Sequence, residues 1–176
     1  MTKTPESSAI ADGFLCSDCG RNHDIPLAYG PAAPVGYFLI PERERDSRCE
    51  LTRDVCLIDE QFYIVGNLEL PIRDYNDVFS WDVWVSLSFE NMKRTQQLWE
   101  SEDRIDEPPY FGWLSSSLPG YPETVGLKTH VHTRAVGCRP FIELETTDHP
   151  LAIEQRNGIS VDRVKQIAAI VAHQNG

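Results

Sequence analysis

The chain has 176 residues, 41% of them apolar, with a net charge of −11 and five cysteines. That length suffices for one domain with a sizeable core, and that apolar share excludes a disordered chain. The excess of 27 acidic over 16 basic residues excludes sequence-independent nucleic-acid binding, which needs clustered Lys and Arg, and suits a basic protein partner instead.

Residues 1–13, "MTKTPESSAIADG", are polar and read as a disordered tail ahead of a single domain over 14–176. The tail has no export-signal pattern, no run approaches the ~20 apolar residues of a spanning helix, and an odd cysteine count suits reduced thiols; a cytoplasmic protein is expected. "FLCSDCGRNHDIP" follows as a Cys-x-x-Cys turn, and the proline-rich segment 26–41 reads as irregular. "ERERDSRCELTRDVC" has room for a short helix. "VCLID" and "QFYIVGNLEL" read as two strands joined by a hairpin turn.

"SWDVWVSLS" alternates, placing Trp81, Val83, Val85 and Leu87 on one face and Asp82, Trp84, Ser86 and Ser88 on the other. Ser88 is placed to cap a helix near 89–100, with Met92, Thr95 and Leu98 or Trp99 as its buried stripe. A short strand is expected around 111–114. "LKTHVHTRAV" and "PFIELET" read as neighbouring antiparallel strands, and Ser160 as the cap of a closing helix to about residue 173. The sum is an α+β fold: a single antiparallel β-sheet, two amphipathic helices on one face, and the N-terminal Cys-x-x-Cys turn.

Cys16 and Cys19 are spaced to place two thiolates on one tetrahedral ion, and Gly20 permits the left-handed backbone that closes such a turn. A thioredoxin-type redox pair fits worse, because Gly20, Asn22 and Pro26 oppose the helix such pairs open. His23 offers a third ligand, and His149, His132, Cys138 and Cys56 are chemically acceptable as the fourth, with zinc as the expected metal. Alternation places Lys128, His130, His132 and Arg134 on one side of their strand, with Glu143 and Glu145 on the next. Glu69 and Trp84 fall on the same sheet face, so Glu69, Trp84, His130 and His132 form a candidate binding surface. Asp148 beside His149 reads as a turn cap before His-Pro rather than an oriented base, since adjacent side chains on extended backbone diverge.

In order, "CSDCGRNH", "LTRDVCLID", "LELPI", "WVSLS", "PYFGWLSSSLPGYPET", "LKTHVHTR" and "RPFIELETTDHPLAIEQRNGIS" resemble the bacterial family called domain of unknown function 2199. The resemblance spans nearly the whole chain beyond Phe14 and implies a compact bacterial protein without implying an activity. It implies that Cys16, Cys19, His23, His132 and His149 stand where members commonly carry these types, whereas Cys49 and Cys138 depart from the pattern. The candidate metal set is therefore Cys16, Cys19, His23 and His149. Two functions follow as expectations: a non-enzymatic cytoplasmic binding protein, in the manner of an immunity protein, or a metal-dependent hydrolase. The hydrolase would hold its ion with His130, His132 and either Glu143 or Glu145.

Overall fold

The computed structural model describes residues 13–16 and 19–174. The tail expected over 1–13 lies outside the described residues except for Gly13. Strands β1 (Phe14–Leu15) and β2 (Asn22–His23) form a small hairpin, and β3 (Ala28–Tyr29) follows. The segment expected to be irregular contains a short helix, α1 (Val35–Leu39), before α2 (Glu42–Arg48), whose position matches the charged stretch. Then come β4 (Cys49–Leu51), β5 (Val55–Ile58), β6 (Gln61–Pro71) and β7 (Val78–Leu87). Helix α3 (Phe89–Gln97) begins at Ser88, whose hydroxyl accepts from the Asn91 amide, and it buries Met92 and Thr95 as expected.

After a 3-10 turn (Glu102–Asp106), β8 (Tyr110–Leu114), β9 (Lys128–His132) and β10 (Phe141–Leu144) follow as a meander. Two helices end the chain, α4 (Pro150–Asn157) and α5 (Val161–Gln174). Ser160 caps α5, accepting from the Arg163 amide at 3.1 Å. Helix α4 escaped the sequence reading because a histidine, not an Asp or Ser, caps it; Pro150 at its first position was the available signal.

The single antiparallel sheet with two helices on one face is incorrect. Strands β6, β7, β8, β9 and β10 close into a barrel within an eight-stranded sheet, and β3, β4 and β5 extend its edges. Two pairings are parallel, β10 on β6 and β3 on β7. Closure rests on the seam where Phe141 meets Asn67 and the Asn67 amide donates to the Pro140 carbonyl at 2.8 Å. Gly66 permits that approach: a Cβ there would stand 2.6 Å from two carbons of Ile142 and 2.8 Å from the Pro140 carbonyl oxygen.

The inward alternation of β7 holds, since Trp81, Val83, Val85 and Leu87 are all buried with Leu68, Leu70, Ile142, Val131 and Leu114. Each such side chain contributes about 1.5–3 kcal/mol by leaving water. Helix α4 packs on β6 and β10. Helix α5 adds Val164, Ile167 and Ala168 to the same core. The outer side of β5, β6 and β7 is not a wet face. There Cys56, Ile58, Val65 and Trp84 form a second core under Tyr37 and Ile40, so α1 and the proline-rich segment serve as its cover.

Helix α3 is tied to β8 by one carboxylate. Arg94 donates to both oxygens of Glu107, at 3.0 and 2.6 Å, and the Tyr110 hydroxyl donates at 2.6 Å. The Arg94 guanidinium, and next the Tyr110 hydroxyl, hold the Glu107 carboxyl down at about 2.

Two outcomes follow. Gly66→Ala should lower stability by about 1–3 kcal/mol in denaturant unfolding, because the seam has no room for a methyl group. A carboxyl depressed from 4.5 to about 2 contributes stability that is full above pH 4.5 and disappears as pH falls toward 2. Glu107→Gln should therefore flatten the acid limb of a stability-versus-pH curve in that window, leaving the curve above pH 5 parallel to wild type.

Candidate metal centre

The N-terminal hairpin is built around its cysteines. The Cys16 amide donates to the Arg21 carbonyl and the Gly20 amide to the Cys16 carbonyl, both at 2.9 Å, and Gly20 takes φ +67° as the turn requires. This fold-back brings Cys19 Sγ to 3.2 Å from Nε2 of His23. The last turn of α5 then adds His173, whose Nε2 stands 3.8 Å from Cys16 Sγ and whose ring meets that of His23 edge-on at 5.5 Å. The donor atoms of Cys16, Cys19, His23 and His173 all lie within 4.8 Å of one another.

These distances fit a metal. Metal–sulfur bonds of about 2.3 Å and metal–nitrogen bonds of about 2.0–2.1 Å in a tetrahedron give sulfur–nitrogen edges of about 3.6 Å. The two observed values, 3.2 and 3.8 Å, bracket that edge. Cys16 is only 2% exposed, while Cys19 lies at the surface, so an ion here would be sealed on its inner side and reachable from solvent. The cluster can hold a metal ion.

Three of the four expected ligands are thus brought together and the fourth is not. His149 lies elsewhere as the N-cap of α4, its Nδ1 accepting from the Leu151 amide at 3.2 Å. An accepting Nδ1 leaves the proton on Nε2, which donates to the Glu123 carbonyl at 3.2 Å, so both ring nitrogens are committed to the fold. His173 takes the place assigned to His149. Its signal was modest: one of only five histidines, at the end of a helix whose apolar stripe requires it to dock. Cys56 is no ligand either, since it is fully buried and burial pushes its thiol up to about 11, which keeps it protonated and inert. Cys138 lies exposed in the turn before β10.

The histidines of β9 do share one side, outward from the barrel, beside Lys128. Their chemistry is that of a solvated face. His132 Nε2 meets Glu143 at 2.7 Å, Lys128 meets Glu145 at 3.9 Å, and Arg134 meets Glu69 at 2.7 Å. Among the described residues no third donor converges with His130 and His132. Trp84 drops out of the expected binding surface: it is 2% exposed, and its indole N–H donates to the Pro31 carbonyl at 3.0 Å. Sequence reasoning missed the aromatics of β8. Phe111 and Trp113 are 42% and 45% exposed, stack edge-on at 5.1 Å, and stand across from His130 and Lys128.

None of the described helices is long and apolar enough to cross a membrane. No curated protein and no solved structure matches the chain. A family model described as "Uncharacterized protein conserved in bacteria (DUF2199)" does match, over residues 15–159, and the chain belongs to that bacterial family.

Proposed function

We propose that the protein is a non-enzymatic binding protein whose β1–β2 hairpin and α5 are joined by a structural zinc ion. The observation that carries this reading is the convergence of two thiols and two imidazoles within 4.8 Å. Two sulfurs and two nitrogens in a tetrahedron suit zinc, and four protein ligands leave no position for water or substrate. Catalytic zinc sites keep such a position open, so this arrangement favours a tie over a reaction centre. Binding is assigned to the outer side of β8, β9 and β10. There the exposed Phe111–Trp113 pair adjoins His130 and His132, an aromatic anchor with a polar surround. The net charge of −11 favours a basic protein as partner.

Elemental analysis of protein purified without a polyhistidine tag should find about one zinc per chain. Cys16→Ser and His173→Ala should each remove most of it, while His149→Ala and His132→Ala should leave it in place. Zinc that survives His173→Ala but not His149→Ala would sink the assignment. Chelation should speed hydrogen exchange at the β1–β2 hairpin and the end of α5 while the barrel strands stay protected.

The interaction surface has its own readout. A partner retained at low ionic strength should be released as salt rises, because charge-led association is screened. The double variant Phe111→Ala, Trp113→Ala should weaken capture by ~30-fold or more, the effect of losing one buried aromatic hot spot. Equal capture by wild type and variant would place the interface elsewhere.

A further inference from the structure

A second site lies beside the barrel seam, with Pro140 of the seam among its lining residues, and it does not depend on the metal reading. A cavity of about 190 Å³ is lined by Val65, Trp99, Glu100, Arg104, Val136 and Cys138, among others. Arg104 is only 5% exposed, yet among the described residues no carboxylate pairs with it. One terminal nitrogen donates to the Trp99 carbonyl at 2.9 Å, and the guanidinium lies 5.6 Å from the centre of the Trp99 ring. Its Nε is buried and has no hydrogen-bond partner.

Buried cations are ordinarily paired, since removing an ion from water costs several kcal/mol. One neutral hydrogen bond and a cation–π contact offset only part of that cost. The nearby Arg139 does not share the burden of an anion. It is spent on Asp54 at 3.1 Å, Asp82 at 2.9 Å and the Arg53 carbonyl at 3.3 Å. The missing member of the site is therefore one acceptor for Arg104.

We propose that this cavity binds a small organic monocarboxylate, its carboxylate accepting from Arg104 and its apolar portion lying against Val65, Trp99 and Val136. Three features set the class. A guanidinium edge matches a planar carboxylate in a bidentate fork. The carboxylates of Asp54 and Glu100 also line the cavity, so a second negative charge on the ligand is disfavoured and a phosphate dianion is rejected. The volume is below the 300–1,000 Å³ typical of drug-sized ligands, which limits the occupant to a short chain or a single ring.

Butyrate and benzoate serve as probes, with inorganic phosphate at matched ionic strength as the control. Calorimetry and thermal unfolding of the full chain should show binding of one or both carboxylates with Kd of about 1 mM or tighter. Arg104→Gln should weaken that binding ~10-fold or more, the loss expected for a charged hydrogen-bond pair. Val136→Trp, which occupies the cavity while retaining the arginine, should abolish it and keeps the test decisive if Arg104→Gln does not fold. Glu100→Gln should leave carboxylate binding equal or tighter. No carboxylate binding to wild type at ~10 mM, binding that persists in Val136→Trp, or phosphate bound as tightly as butyrate each overturns the proposal.

Discussion

The β6–β7 ribbon imposes the main constraint on this molecule. It is an antiparallel ladder running from Phe62 opposite Leu87 to Pro71 opposite Val78, apolar along its inner side and, around Val65 and Trp84, on its outer side as well. A ribbon of that kind has to be covered twice. The inner side is covered by curling: β8, β9 and β10 continue the meander until β10 lands on β6 at the one place where a glycine leaves room. The outer side cannot be covered by the barrel itself. The proline-rich segment and α1 do that work, carrying Tyr37 and Ile40 over Trp84. The hydrogen bond from the Trp84 indole to the Pro31 carbonyl supplies the partner that a buried N–H needs.

This double covering explains why strand periodicity was legible and barrel closure was not. Alternation in "SWDVWVSLS" identified the inward set, and the Ser88 and Ser160 caps were readable from local chemistry. Alternation also assigned Trp84 to the opposite side, correctly, but says nothing of what lies over that side. A strand whose second face carries Trp84 next to Asp82 and Ser86 looks half-wet in sequence. Its actual cover comes from residues some fifty positions earlier. Closure is less visible still, because it depends on a single pairing between Phe141 and Asn67 and on the absence of a side chain at Gly66. A short parallel pairing between distant segments leaves no periodic trace.

The candidate metal site was half legible for a related reason. Cys16, Cys19 and His23 sit within eight residues of chain, so their spacing carries the geometry directly. The fourth donor arrives by tertiary docking, from a helix lying beyond the 15–159 region that the family model covers. His149, the expected fourth ligand, lies inside that region and has a complete local role as a helix cap.

The position of His173 also bears on what a metal ion held by this cluster would do. Cys16 and His173 are separated by 157 positions, so an ion joining them closes nearly the whole described chain into one loop. In the chain-entropy treatment of cross-links, a loop of that length removes about 5 kcal/mol of unfolded-state freedom, an amount that grows only slowly with further length. Hairpin β1–β2 contributes little burial of its own, with Phe14 as its main apolar contact to the core. Helix α5 by contrast buries Val164, Ile167 and Ala168 and is held without the ion. A tie there would act asymmetrically: the helix presents an imidazole from a docked position, and the knuckle, which has little apolar surface of its own, is what an ion would fasten. An ion so placed would stabilise the hairpin and leave the outer faces of β8, β9 and β10 unencumbered, which is where the exposed aromatics lie.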